Sequence, residues 1–350
     1  MKEPSVHITK NILRLIAEID EFKGQWRAMG NLTPERLDAL KKVATIESVG
    51  SSTRIEGARL SDLEVEHLLA GIDIGSFKSR DEEEVAGYAE AMNLVFSSFQ
   101  DISVTENHIK QLHGILLKHS SKDVRHRGEY KKLSNNGEAF DADGKSLGII
   151  FETATPFDTP QKMTELINWT GESLNSKELH SLLILAVFIV HFLAIHPFQD
   201  GNGRLSRIVT TLLLLRCGYA YVPYSSMESV IEKNKDNYYR ALRKTQKTLE
   251  TGAPDYDAWV LFFLECMKKQ KDILSEKIER EMMIIKLPEL SEDILVIAKE
   301  HGRITISDIE SITKANRNTV KVRLRELVVE GFLEKHGQGK STWYTLSSRR

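Results

Sequence analysis

The stretch HPFQDGNGRLSR, residues 196–207, gathers a histidine, an acid, two glycines and two arginines within a dozen positions. It follows directly on LLILAVFIVHFLAI, residues 182–195, whose apolar character, interrupted only by His191, predicts a buried helix. A second apolar helix is predicted from about residue 204 to residue 217. A short polar turn between two core helices therefore decides both the fold of the central region and its chemistry.

The turn has the features of an anion site. GNG forms a tight loop in which glycine suits two of the positions. The backbone N–H groups of Gly201, Asn202 and Gly203 then converge at the start of the next helix, where anions bind. Arg204 and Arg207 are three residues apart, so they share one helix face and add two permanent positive charges. This pattern predicts a polyphosphate ligand.

Two further side chains of the turn suit group transfer. Asp200 is a hard oxygen ligand for a magnesium ion shared with the phosphates. His196 is expected to be largely neutral at pH 7 and able to accept a proton from a hydroxyl. We expect Phe198 to bury its ring and anchor the loop. A lone histidine before proline, or two arginines on one helix, is usually structural, but together these residues favour phosphoryl or nucleotidyl transfer.

The length and composition of the chain indicate its general class. The 350 residues suit two or three domains, and 41% hydrophobic with 28% charged residues is typical of a folded protein. The net charge of -2 gives no global reason to expect nucleic acid. Cys217 and Cys266 lie in apolar helical surroundings and predict no disulfide framework. Without an apolar signal segment or a membrane-spanning run, we expect a soluble, cytoplasmic protein that makes no membrane contact.

The organisation along the chain is mainly helical. Thr33 followed by Pro34, and Ser61 before an apolar helix, predict helix starts. From Gly128 to Thr155 the sequence turns to a β-hairpin, with turns predicted at NNG and DADG. We predict a mainly α fold in four regions. An N-terminal helical region covers residues 1–100, and a central core with the hairpin covers residues 101–225. Further helices of the same unit cover residues 226–285, and a C-terminal domain covers residues 286–350.

The C-terminal domain follows the boundary KLPELSED, residues 286–293, and predicts helix, helix-turn-helix and hairpin, the order of a winged-helix domain. Residues 301–350 hold ten Lys and Arg against five Asp and Glu, a net charge of +5. A core stripe is predicted at Val320, Leu324, Leu327 and Val328. The residues then predicted to contact DNA are Arg317, Asn318, Lys321 and Arg325. A winged helix that binds protein or supports dimerisation is the alternative.

The central stretch resembles the signature of the Fic family, His-x-Phe-x-Asp/Glu-Gly-Asn-Gly-Arg-x-x-Arg, at all eight defined positions. GEYKK with the hairpin after it resembles the Fic flap, and NYYRAL, residues 237–242, resembles a segment that closes over the nucleotide. KGQW and SSTRIEG resemble the N-terminal helices of a bacterial subfamily. The resemblance covers roughly residues 10–270 and implies a Fic-type helical core with a β-hairpin flap.

The resemblance implies an adenylyltransferase that moves AMP from ATP to a Ser, Thr or Tyr hydroxyl of a target protein, with Mg2+ or Mn2+ as cofactor. His196 would be the base and Asp200 the metal ligand, while Gly201, Asn202, Gly203, Arg204 and Arg207 would bind the phosphates. Tyr238 and Tyr239 would lie near the adenine or the ribose. Gln246 stands where relatives have an asparagine that contacts the base, which puts this contact in question. Relatives that phosphorylate their targets alter the GNGR pattern, and this chain keeps it.

SSTRIEG, residues 51–57, resembles the Fic inhibitory motif through Ser52, Glu56 and Gly57. Ser52 and Glu56 share a helix face, so Glu56 could pair with Arg207 and hold ATP in an unproductive pose. The plain alternative is a solvated helical carboxylate. A third reading gives Glu56 a part in removing AMP from modified targets.

The flap of the resembling family adds the target protein as a neighbouring strand, a contact that carries little sequence information. The candidate segments are Leu133–Glu138 and Ile149–Thr155, with Leu133, Ser134, Asn135 and Asn136 at the flap edge. A surface hairpin with packing duties alone is the alternative. The competing function is a winged-helix transcription regulator whose Fic core senses nucleotide. A homodimer is compatible with the sequence, although no particular stretch predicts one.

Overall fold

The computed structural model describes residues 4, 6–28, 32–71, 77–140, 146–251, 253–285 and 287–347. The chain divides into two compact units, Met1–Leu274 and Ser275–Arg350. The sequence predicted a domain boundary at residue 286, whereas the two units divide between Leu274 and Ser275. This division lies within a helix that continues to Ile285. The sequence signal at Pro288 marks the start of the next helix rather than the division.

The first unit is mostly helical. Its helices are α1 (Lys10–Ala28), α2 (Pro34–Ile55), α3 (Asp62–Ala70), α4 (Arg80–Ser98), α5 (Glu106–Leu116), α6 (Thr159–Ser176), α7 (Ser181–Ile195), α8 (Asn202–Arg216), α9 (Met227–Lys233), α10 (Lys235–Gln246) and α11 (Asp257–Ile285), of which α11 extends past the division. The predicted starts are confirmed: Pro34 opens α2, and the Ser61 side chain accepts from the Glu64 backbone N–H at the start of α3.

The core of this unit forms around α7 and α8. Positions Leu182 to Val190 of α7 are buried without interruption, and α8 is buried from Arg204 to Leu215. The predicted buried helix is therefore confirmed. Its one polar interruption, His191, contacts the Tyr256 hydroxyl through Nε2 at 2.9 Å, and burial lowers the pKa of its imidazole to about 4. Helices α2 and α4 both pack against α8, which brings their side chains to the polar turn.

The hairpin consists of β1 (Gly137–Phe140) and β2 (Ser146–Phe151), which pair antiparallel with Gly137 opposite Phe151. The predicted turn at NNG is wrong, because Gly137 begins a strand and the two preceding asparagines bind neighbouring segments through their side chains. The candidate docking segment Leu133–Glu138 therefore lies mostly before β1, which begins at Gly137. The DADG turn lies in residues 141–145, outside the described residues.

The second unit contains α12 (Glu289–His301), α13 (Ile306–Thr313), α14 (Arg317–Val329), β3 (Leu333–His336) and β4 (Trp343–Leu346). The strands pair antiparallel, and Ile304 bridges Tyr344 beside them. Val320, Leu324 and Leu327 of α14 are fully buried, and Val328 packs at the edge of the same cluster. The elements follow the predicted order, while their assignment to the winged-helix class remains a prediction.

Among the described residues, none of the helices combines the length and the apolar character needed to cross a bilayer. The cytoplasmic location remains an expectation.

Candidate active site

The polar turn is held in an unusual backbone conformation at both ends. His196 ends α7 with a left-handed backbone (φ 52°), which is uncommon for a residue with a side chain. Gly201 precedes α8 with φ 77°, and a Cβ there would meet the side chains of Leu116 and His113. The left-handed backbone therefore favours glycine at Gly201, and a side chain there would also press on Leu116. Phe198 is fully buried between these ends, as predicted.

His113 on α5 holds the turn in place, and no sequence pattern pointed to it. Its ring stacks on Phe198 with centroids 3.9 Å apart. Its Nδ1 accepts from the Gly128 backbone N–H at 2.9 Å, so its Nε2 carries the hydrogen and donates to the Asp200 carbonyl at 3.0 Å. Burial lowers the pKa of His113 to about 4, so a neutral imidazole makes both bonds at pH 7.

His196 presents a neutral imidazole to the site. Its Nδ1 lies 3.3 Å from the Leu193 carbonyl and donates to it, which leaves the lone pair on Nε2. Burial lowers the pKa of His196 to about 4. The Asn135 amide donates to the His196 carbonyl at 3.2 Å and to the Phe198 carbonyl at 2.6 Å, so the predicted flap edge fixes the backbone that carries the histidine.

Lys131 anchors the flap to the end of α7, and it too was missed. Its buried ammonium group donates to the Ile195 carbonyl, to Asn135 Oδ1 and to Thr153 Oγ1, at 2.9, 2.8 and 3.0 Å. Burial lowers the pKa of Lys131 to about 8. The Asn136 amide oxygen accepts from the Thr153 backbone N–H at 2.9 Å. Leu133 and Ser134, the other predicted flap residues, are exposed.

A carboxylate lies at the start of α8, where the sequence predicts an anion site. The Asn202 side chain folds back onto Phe198, accepting from its N–H at 2.9 Å and donating to its carbonyl at 2.7 Å. A Cβ at Gly203 would lie 2.2 Å from Glu56 Oε1, so a carboxylate already lies against the glycine. The Glu56 carboxylate stands in for an anion at the helix N-terminus.

Glu56 and Ser52 both contact Arg207. Arg207 Nη2 donates to Glu56 Oε1 at 2.8 Å and to the Ser52 carbonyl at 2.9 Å, and Nε donates to Ser52 Oγ at 2.8 Å. Arg207 is 5% exposed and the Glu56 side chain 32% exposed, so the pair is partly buried. Gly57 follows with φ 108° and ends the turn after α2. The pairing expected from the sequence is thus present in the structure.

Asp200 is placed between charged partners. Its Oδ1 accepts from the Gly201 N–H at 2.7 Å, and its Oδ2 accepts from Arg80 at 2.9 Å. Burial acts to raise the pKa of this carboxyl, but the positive charge of Arg204 and the Gly201 N–H lower it overall. No group of three or more metal-ligating side chains occurs among the described residues. One carboxylate suits a magnesium ion held mainly by phosphates and water.

The predicted nucleotide contacts differ in exposure. Tyr238 is buried and packs its ring edge-on to Trp259, with centroids 5.7 Å apart. Tyr239 is partly exposed, and burial together with the charge of Glu56 raises the pKa of its hydroxyl. Both side-chain polar atoms of Gln246 are buried without a hydrogen-bond partner among the described residues, an arrangement that suits a polar ligand such as an adenine edge.

In the second unit, the predicted DNA-contacting residues lie on the exposed face of α14. Arg317, Asn318, Lys321 and Arg325 are all exposed, while the stripe on the opposite face is buried. Arg317 forms an ion pair with Glu310 of α13, which offsets part of its positive charge. The remaining cations, Lys321 and Arg325, are one helical turn apart.

The central region, residues 103–214, matches the sequence profile of the Fic/DOC family, and residues 278–342 match a family of bacterial proteins of unknown function. The stretch that matches the Fic/DOC family contains the elements that form the candidate site, namely α7, the polar turn and most of α8. The matched region is therefore a helical domain that contains the polar turn and the buried His196.

Curated relatives include a protein adenylyltransferase Fic from Drosophila yakuba, 28% identical over 67% of this chain, and one from Drosophila grimshawi, 27% identical over 74%. The chain spans 42% and 49% of these relatives, less than half of their length. Two crystal structures share its fold. A Fic family protein from Desulfovibrio desulfuricans gives a TM-score of 0.63 at 23% identity, covering 99% of both chains. A Fic domain containing signaling protein from Bacteroides thetaiotaomicron gives 0.57 at 23% identity, covering 75% of this chain and 94% of its own.

This protein is mainly helical and has a Fic fold. Residues 103–214 match the Fic/DOC family, and the fold of the chain is similar to that of Fic family proteins.

Proposed function

We propose that this protein transfers AMP from ATP to a hydroxyl side chain of a target protein, itself included. The observation that carries the proposal is a neutral, buried His196 within electrostatic reach of Asp200 and of the Glu56 carboxylate that lies against Gly203. The adenylyltransferase name of the curated relatives supports the same reaction. The intact Gly201–Asn202–Gly203 sequence supports nucleotidyl rather than phosphoryl transfer, in line with the family pattern.

In this reaction the target hydroxyl oxygen attacks the α-phosphorus of ATP, and the bond to the bridging oxygen of the β-phosphate breaks. His196 Nε2 accepts the hydroxyl proton, and pyrophosphate leaves with the electron pair of the broken bond. The backbone N–H groups at the start of α8 hold the phosphates, while Arg204 and Arg207 neutralise their charge. Asp200 would hold the magnesium ion, which supplies further positive charge to the phosphates.

The proposed adenine contact differs from that of relatives, because Gln246 stands in place of an asparagine. Gln246 offers both a donor and an acceptor, the groups needed to pair with the edge of an adenine. Its buried and unpartnered amide supports a direct contact with the base, in place of the shorter asparagine of relatives. Tyr239 is the more exposed of the two tyrosines, whereas Tyr238 packs its ring beside Trp259 and interacts with Arg207.

In the structure as it stands, Glu56 supports an autoinhibited state. Its carboxylate occupies Arg207 and the space over Gly203, so the terminal phosphate of ATP would have to displace it. In the alternative function, a displaced Glu56 helps remove AMP from a modified target. The target is proposed to add as a strand to β1 and β2, through main-chain bonds.

The test is labelling by ATP that carries a radioactive α-phosphate, with magnesium, using the full chain as its own hydroxyl donor. We expect label on the protein, stronger in the Glu56→Gly variant and abolished in His196→Ala. Label from ATP carrying a radioactive γ-phosphate would indicate phosphoryl transfer instead. An unlabelled Glu56→Gly variant that retains ATP binding would favour the nucleotide sensor.

A second candidate, DNA binding through the C-terminal unit, is supported by the exposed Lys321 and Arg325 on α14. We expect the full chain to retain duplex DNA, with retention falling as salt rises, because phosphate contacts release counterions. Replacing both residues with alanine should reduce the salt slope by about one for each lost contact. Replacing Arg317, which is paired with Glu310, should have the smaller effect.

A further inference from the structure

Four charged side chains form a closed ring beside the turn. Arg80 contacts Asp200 Oδ2 at 2.9 Å and Glu84 Oε1 at 2.8 Å. Glu84 Oε2 in turn lies 2.9 Å from Arg204, and Arg204 lies 3.5 Å from Asp200 Oδ1. Two members belong to the turn and α8, and the other two lie one helical turn apart at the start of α4.

The two sides of the ring differ in burial. The Glu84 and Arg204 side chains are 11% and 3% exposed, so this pair is fixed in the interior. The Arg80 and Asp200 side chains are 48% and 37% exposed, which makes their contact a surface ion pair. Surface pairs contribute little free energy and exchange readily, whereas breaking a buried pair leaves an uncompensated charge. The ring therefore opens most easily between Arg80 and Asp200.

We propose that Arg80 is the displaceable counter-ion of the divalent-cation site and sets the magnesium concentration at which nucleotide binds. This inference rests on the proposed nucleotide site. Asp200 Oδ1 is committed to the Gly201 N–H, so Oδ2 is the oxygen through which Asp200 would bind a cation. Arg80 occupies that oxygen, and a guanidinium and a divalent cation compete for it.

Glu84 lowers the free-energy cost of replacing Arg80 by a divalent cation at Asp200. When Arg80 leaves Asp200, its Nε keeps the bond to Glu84 Oε1, so the guanidinium is never left without a carboxylate. Glu84 also holds Arg204 at the start of α8 through its other oxygen. Arg80 is thus a positioning residue that acts through Asp200, and it takes no direct part in the transfer.

The experiment measures ATP binding by isothermal titration calorimetry, using the full chain with His196→Ala to prevent turnover. Affinity for ATP is measured in EDTA and at increasing Mg2+ in the parent and in Arg80→Met. We expect the Mg2+ concentration for the half-maximal gain in affinity to fall about two- to fivefold in Arg80→Met, the range for loss of a surface ion pair. Affinity in EDTA should not change.

Arg14→Met is the matched control, because Arg14 also pairs with a glutamate four residues later, Glu18, at 3.0 Å on α1. It should leave the magnesium midpoint at the parent value. Arg80→Lys keeps a positive charge and should give an intermediate midpoint, which also covers the case in which Arg80→Met fails to fold.

Three results would overturn the inference. An unchanged magnesium midpoint in Arg80→Met would show that Arg80 does not compete with the cation. Weaker ATP binding in EDTA would make Arg80 a phosphate ligand. ATP binding absent from the parent under all conditions would remove the proposed function itself, whereas the first two results leave it standing.

Discussion

The contact between Glu56 and Arg207 gives the most direct test of regulation. Glu56→Gly removes the carboxylate that lies 2.8 Å from Arg207 and against Gly203. Arg207 stays in place because Ser52 still accepts from its Nε and Nη2. The variant therefore frees the arginine for a phosphate without releasing it from the site.

The size of the effect follows from the burial of the pair. Hydrogen bonds to charged groups contribute about 1.5–3 kcal/mol. Because the Glu56 side chain is 32% exposed, solvent screening favours the lower end, about 1.5 kcal/mol. A competitor of that strength lowers productive ATP binding about tenfold. We expect Glu56→Gly to raise AMP transfer by about that factor.

The assay follows label from α-labelled ATP on the full chain at subsaturating ATP. Glu56→Gln keeps the shape and removes the charge, so it should recover most of the gain. Glu66→Gln removes a carboxylate from an exposed pair with Lys42 and should behave as the wild type. Equal labelling by the wild type, Glu56→Gly and Glu56→Gln would refute inhibition by this contact. Reduced labelling in both Glu56 variants would instead assign Glu56 a supporting part in the chemistry.

Three further predictions concern the buried groups around the turn. His113, His191 and His196 have pKa values lowered to about 4, so the unfolded chain binds protons that the folded chain does not between pH 6.5 and 4. As the pH is lowered from 6.5 to 4, the free energy of unfolding should fall on the order of 1.4 kcal/mol per pH unit for each histidine, as measured by urea unfolding. A free energy of unfolding that does not change over this pH range would contradict the prediction. His113→Phe keeps the ring stack but leaves the Asp200 carbonyl without its donor, so it should cost about 1–3 kcal/mol in urea unfolding and lower the labelling rate; wild-type values in both would deny it a positioning role. Lys131→Met should speed hydrogen exchange in the hairpin while leaving exchange in α14 unchanged, and equal acceleration in both would indicate general destabilisation.

The sequence predicted the parts of the site whose signals are local. The apolar run ending at Ile195, the glycines of the turn and the three-residue spacing of Arg204 and Arg207 each impose a geometry on their neighbours. The pairing of Glu56 with Arg207 spans a long sequence separation, and it was accessible through resemblance to a known motif. Helix periodicity alone gave only the shared face of Ser52 and Glu56.

The missed residues act through tertiary contacts that no local pattern encodes. His113 lies within an amphipathic helix, where a buried histidine looks like any other core position. Arg80 and Glu84 look like an ordinary i, i+4 pair on a solvated helix. The NNG turn was wrong for a related reason, because the propensity of asparagine for turns was overridden by its side-chain bonds to the backbone of Phe198 and Thr153.

The charges around the turn explain why one missing carboxylate should matter so much. Three arginines, Arg80, Arg204 and Arg207, meet three carboxylates, Asp200, Glu56 and Glu84, so the charges of these six side chains cancel without ligand. A magnesium-bound triphosphate still carries net negative charge, and its entry would leave the site with excess negative charge while Glu56 remains. Departure of Glu56 leaves one positive charge uncompensated beside Gly203, where an anion can bind. The balance therefore opposes nucleotide with Glu56 in place and favours it once Glu56 has left, because Glu84 keeps its contacts with Arg80 and Arg204.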